Sequence, residues 1–184
     1  MKDKTNETIA FIWRVTAMHV ITYFIIGMIS MNIFDYQYLF TSNEVEAIMK
    51  PVNSKWVALA PALQVLGGLV FGIVLLPFKS VILSKNGWFK LWFLFIGLSI
   101  LFTFGPAIGS IDGMLYTKVP VRLHLTFLPE LIVQALLLSS GLYFWYQKPS
   151  KILTIMSIIF VVAIIALSIA GYMTSNAGIE QVVN

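Results

Sequence analysis

Five apolar runs, over about residues 8–33, 56–77, 89–109, 124–146 and 152–173, occupy most of this chain. Each is long enough to cross about 30 Å of hydrocarbon as a helix rising about 1.5 Å per residue. A bilayer offers no water to exposed peptide groups, so a spanning segment must satisfy its own backbone, and a helix does this. Composition agrees, with 59% hydrophobic and 11% charged residues. Soluble domains carry about a quarter charged residues, and so little charge does not coat a globule. The expectation is an all-α fold, a five-helix transmembrane bundle forming a single domain over residues 1–184, with loops at 34–55 and 110–123. The first run carries Arg14 and His19 and has no small-residue exit, so it reads as a retained helix and not as a signal peptide.

Charge sets the expected orientation. Lys2, Lys4, Lys79, Lys85, Lys90, Lys148 and Lys151 fall on one side of such a bundle, and Lys50, Lys55, Lys118 and Arg122 on the other. The excess places the N-terminus in the cytoplasm and the C-terminus outside. Both loops, 34–55 and 110–123, then face outward. The net charge of +4 is dispersed beside apolar runs, a topology pattern that gives no reason to expect nucleic acid. The chain has no Cys, which removes disulfides, thiolate nucleophiles and iron–sulfur ligation.

The first outer loop begins with Phe34, Tyr36, Tyr38 and Phe40, residues suited to a membrane interface. Thr41 and Glu44 have the spacing of a capping box. Gly68 and Gly72 recur at a four-residue interval, as do Gly105, Gly109 and Gly113. Small residues let helix backbones approach closely in lipid, so Gly68, Gly72, Gly105 and Gly109 are expected packing positions, the first two against helix 3 or 4. A homodimer contact is the alternative. Pro106 removes an amide and crowds the preceding turn, so the stretch from Gly105 to Gly113 is expected to leave the helix.

On the fourth helix Arg122, Thr126, Glu130 and Gln134 recur every four residues, and so form one polar stripe. Glu130 then lies about 12 Å inside the membrane, with Gln64 on helix 2 at a similar depth and His19 on helix 1 near the midplane. An ionisable group at such depth costs about 2.5–3.5 kcal/mol on insertion scales, so it should face protein and have a partner. Candidate partners of Glu130 are His19, Gln64 and Tyr116. The expected site is a polar pocket of Glu130, Gln64, His19, Tyr116, Arg122 and Gln134 open to the outside.

Two His residues on membrane helices raise the question of haem, but His19 and His124 sit at different depths, and bis-imidazole ligation needs a common one. Neither H-x-x-x-H nor H-E-x-x-H spacing is present, so no metal or haem cofactor is expected. Asp112, His124 and Glu130 would be the acid or base groups of an enzyme. Ser110 has no G-x-S-x-G setting, and GSIDG reads as a capped turn.

The segment over 103–134, with the stretch over 67–92 upstream of it, resembles a family of small bacterial inner-membrane proteins of uncharacterised activity, a likeness that covers roughly residues 64–140. The shared pattern is G-P-A-x-G-S-I-E-G-x-x-Y-T followed by H and P-E. It is matched here by Gly105, Pro106, Gly109, Ser110, Gly113, Tyr116, Thr117, His124, Pro129 and Glu130, with Asp112 in place of Glu. The resemblance implies a bacterial inner membrane and no particular activity. The reading from the residues is a multi-pass protein in contact with the lipid bilayer that binds or passes a small ligand or proton. An enzyme acting on a lipid or envelope substrate, and an accessory subunit of a larger membrane complex, are the alternatives.

Overall fold

The computed structural model describes residues 2–41, 45, 49–103 and 105–180. The fold is all-helical. In chain order come α1 (Lys2–Ile33), α2 (Tyr36–Thr41), α3 (Lys55–Leu75), a 3-10 turn (Leu76–Phe78), α4 (Lys79–Ile82), α5 (Gly87–Ile96) with a π-helical continuation (Gly97–Leu101), α6 (Ile111–Tyr116), α7 (Val121–Gln147) and α8 (Lys151–Glu180). Among the described residues four helices are long and apolar enough to cross a membrane: Lys4–Ile33, Lys55–Ile82, Val121–Gln147 and Lys151–Ser175. The chain divides into two compact units, Met1–Leu76 with Ser150–Asn184, and Pro77–Pro149.

The first unit is built on α1, α3 and α8. The α3 helix starts where Ser54 accepts a hydrogen bond from the Val57 N–H through its side chain, satisfying a donor the helix leaves orphaned. Its glycines meet α1: a Cβ on Gly68 would lie 2.7 Å from the Cα of Thr16, and one on Gly72 3.0 Å from the Cα of Ile12. The Gly68 and Gly72 surface therefore packs on helix 1 and not on helix 3 or 4. Because Gly68 faces Thr16 and Gly72 faces Ile12, α3 runs antiparallel to α1. The α8 helix joins them through Trp13, whose Nε1–H donates to Ser157 Oγ at 3.1 Å, and through Gly171, which faces Ala58. It runs parallel to α1. The chain thus leaves α3 and enters α8 at the same end of this unit, where α1 begins.

Hydroxyls inside these helices are returned to the backbone. Thr16 donates to the Ile12 carbonyl at 2.9 Å and Thr22 to that of Met18 at 2.7 Å, which spares each a polar partner in an apolar setting. After α1 the backbone turns at Asp35, φ 47°. Tyr36 and Phe40 then stack at 5.1 Å and are buried, whereas Tyr38 is exposed. Glu44 lies outside the described residues, and with it the capping box expected at Thr41.

In the second unit, α5 and α7 pack together and Trp92 Nε1–H donates to the Ile132 carbonyl at 3.3 Å. A Cβ on Gly87 would fall 1.7 Å from the Ile82 carbonyl oxygen, so only glycine admits this turn between α4 and α5. The helix expected over 89–109 is shorter: its apolar helical segment is Gly87–Leu101, about 22 Å at 1.5 Å per residue. The backbone becomes extended at Phe102 (φ −124°, ψ 126°), ahead of Pro106, which offers no amide to continue a helix. The α7 helix buries Leu123, Phe127, Ala135, Leu138, Leu142 and Trp145.

Candidate functional site

Each unit holds one buried His, and each His has a different kind of surrounding. His19 stands near the middle of α1, about 25 Å from its start at 1.5 Å per residue, and is 7% exposed. The α1–α3 packing described above brings Gln64 to it, with Nε2 of His19 and Oε1 of Gln64 2.9 Å apart. Two of the residues expected to share a polar layer are therefore directly bonded. The amide oxygen of Gln64 only accepts, so in this pair His19 Nε2 carries the ring proton. His19 Nδ1 is buried and has no hydrogen-bond partner among the described residues. The Phe71 ring meets the imidazole edge-on, with ring centres 4.8 Å apart.

Gly67, which is not among the expected packing glycines, is part of this arrangement. A Cβ there would lie 3.3 Å from Gln64 Oε1 and 3.4 Å from His19 Nε2, so the glycine leaves room for the pair. The signal was present in the sequence as the first half of a Gly67–Gly68 doublet, whose two members face different things: Gly68 the backbone of α1, Gly67 the polar pair.

In the second unit the loop between α5 and α7 closes around His124, which is 0% exposed. The Gly109 N–H donates to Nδ1 at 3.0 Å, and Nε2 lies 3.4 Å from the Thr117 hydroxyl. That hydroxyl donates to the Gly113 carbonyl at 2.7 Å and accepts from the Val119 N–H at 3.3 Å. With Nδ1 accepting, Nε2 is the protonated nitrogen and Thr117 its acceptor. Ser110, 1% exposed, caps α6: its Oγ accepts from the Gly113 N–H at 2.9 Å and donates to the Ala107 carbonyl at 2.8 Å. Asp112 accepts from the Thr103 N–H at 3.2 Å, and the Thr103 hydroxyl donates to the Gly105 carbonyl. Two glycines make this winding possible. Gly109 has φ +91°, and a Cβ on Gly113 would lie 2.0 Å from the Ala107 carbonyl oxygen and 2.8 Å from His124.

The enzyme candidates Asp112 and His124 are thus engaged with different backbone amides, and Ser110 is committed to its cap; their bonds are those of loop architecture. Gly105, expected at a helix contact, has nothing among the described residues within 4 Å of its Cβ position. Gly109 serves as a turn residue against the Leu131 side chain. Tyr116, expected as a pocket residue, is 76% exposed. The polar stripe of α7 runs beside the buried face: Arg122 is exposed, and Thr126, Glu130 and Gln134 are half-buried. Glu130 belongs to the second unit and His19 and Gln64 to the first. Among the described residues no three His, Asp or Glu side chains are placed to hold a metal ion.

Compared with known proteins, the chain matches no family model, no curated protein and no solved structure.

Proposed function

We propose that this chain is a multi-pass protein of a bacterial cytoplasmic membrane that binds or passes a small ligand or a proton at polar side chains within its spanning helices, without covalent chemistry. The observation that carries the reading is the hydrogen bond between His19 and Gln64, which joins two long apolar helices at mid-length. An ionisable side chain inside hydrocarbon is expensive to keep, and where one occurs it marks a substrate, ion or proton path. The α7 stripe of Arg122, Thr126, Glu130 and Gln134, in the other unit, is a separate polar line that leads from the loop end of that helix inward.

The parallel course of α1 and α8 supports the orientation. Lys4 and Lys151 stand at one end of the first unit and Lys55 at the other, so the more basic end is the cytoplasmic one. A chain that leaves α3 and re-enters at α8 on that side must cross an even number of times between them. The short α5 segment and α7 would make those two crossings.

The test is reconstitution of the full chain into liposomes with an entrapped pH-sensitive dye, alongside melting temperatures in detergent against a panel of small polar compounds. Wild type should show a proton flux or a ligand-dependent melting shift that His19→Phe abolishes while helix content is kept. A wild type indistinguishable from His19→Phe in both assays would refute the site.

A further inference from the structure

The pairing of His19 with Gln64 has a chemical direction. An amide oxygen cannot donate, so it selects the imidazole tautomer with the proton on Nε2 and leaves the lone pair on Nδ1. This is how a neighbouring carbonyl sets which nitrogen of a His stays free to bind. Here that second nitrogen is buried and has no partner among the described residues, in a side chain only 7% exposed. A buried acceptor without a donor is uncommon in folded proteins, and one in a polar pair calls for a ligand or a water.

The surroundings decide which ligand. The helices packed against α1 in this unit are α3, α8 and the short α2, whose only ionisable groups are Tyr36 and Tyr38. From Trp56 to Leu75 α3 has no ionisable residue, and from Ile152 to Ser175 α8 has only Tyr172, whose ring packs on Trp56. On α1 itself the nearest ionisable groups are Arg14, more than a turn earlier, and Tyr23, whose ring centre lies 6.5 Å from the imidazole. No carboxylate from these helices faces His19 to balance a cation. The flanking ring of Phe71 adds apolar, aromatic surface. Nδ1 is therefore suited to a neutral hydrogen-bond donor that partitions into the membrane.

We infer that His19 Nδ1 is the docking atom for a neutral, membrane-soluble molecule that presents an O–H donor, an alcohol or phenol by class. Gln64 is a positioning residue that holds the accepting tautomer. The inference rests on the internal polar site proposed above and narrows its ligand.

Histidine-selective 15N NMR of the full chain in lipid nanodiscs tests it, since His19 and His124 are the only two signals to assign and His19→Gln identifies the first. The probes are phenol and anisole, which differ in the O–H donor. Wild type should show an unprotonated Nδ1 and a protonated Nε2, and phenol should move the Nδ1 signal saturably while anisole does not. Gln64→Leu should populate the other tautomer and weaken the response to phenol by about tenfold, the loss of roughly one oriented hydrogen bond. The comparison of phenol with anisole needs no variant, so it stands even if Gln64→Leu folds poorly. Equal shifts with both probes, a proton already on Nδ1, or a signal that responds to water exchange and to neither probe would overturn the inference. A ring that ignores phenol but takes a second proton near neutral pH would overturn the neutral ligand and leave the proton-site reading standing. Silence in every arm, with no flux, would sink both.

Discussion

Replacing Gly68 by Ala should drive α1 and α3 apart. The added methyl would sit 2.7 Å from the Cα of Thr16, and 3.1 Å from its Cγ2 and carbonyl oxygen. Carbon atoms rest about 3.5–4.0 Å apart, so the helices must separate by roughly 1 Å, and a gap of that size forfeits about a quarter to a half of the dispersion well of each neighbouring contact. Backbone cannot swing aside as a side-chain tip can. Overpacking of this kind costs about 1–3 kcal/mol, against about 0.5–1 kcal/mol that Ala gains over Gly inside a helix. The net effect should be destabilising. Gly27 provides the control on α1, because nothing lies within 4 Å of its Cβ position, and Gly27→Ala should be neutral or mildly stabilising. Thermal unfolding of both variants in the same detergent is the assay. A Gly68→Ala protein that melts with or above Gly27→Ala would refute the close approach of the two backbones.

The loop around His124 should be equally intolerant at Gly113, where a Cβ would fall 2.0 Å from the Ala107 carbonyl oxygen; Gly113→Ala should raise proteolysis between Thr103 and Val119, and unchanged resistance would contradict the winding described. Ser110→Ala removes a cap that receives two amide hydrogen bonds and should cost about 1 kcal/mol, within the usual 0.5–2 kcal/mol for such caps, read from the same melting curves. For the orientation, an impermeant thiol reagent applied to intact cells should label Asn53→Cys and spare Lys85→Cys, and the reverse pattern would invert the topology.

Much of this architecture was legible because lipid imposes simple demands. A run of some twenty apolar residues must become a helix whatever its neighbours, and a glycine pair such as Gly68 and Gly72 announces that some backbone will come near. Pro106 and the surrounding glycines likewise announce irregular chain, and Ser110 ahead of Gly113 a capped turn. These are local consequences of backbone chemistry, and they need no knowledge of what lies across the gap.

The rest was decided by tertiary structure. In α8, Val161 and Ile164 are 3% exposed while Ile159 is 61% exposed. The residues are alike, because in a membrane the lipid-facing and protein-facing surfaces can both be apolar, and hydrophobicity ceases to tell inside from outside. Nothing in the sequence therefore named α1 as the helix facing Gly68. Four-residue spacing put Arg122, Thr126, Glu130 and Gln134 on one line but did not turn that line toward the core. It was the crossing of α1 with α3 that joined His19 to Gln64, and the winding of one loop that made His124 a buried acceptor. Side-chain chemistry determined what each group needs, and only the packing of helices determined which group supplies it.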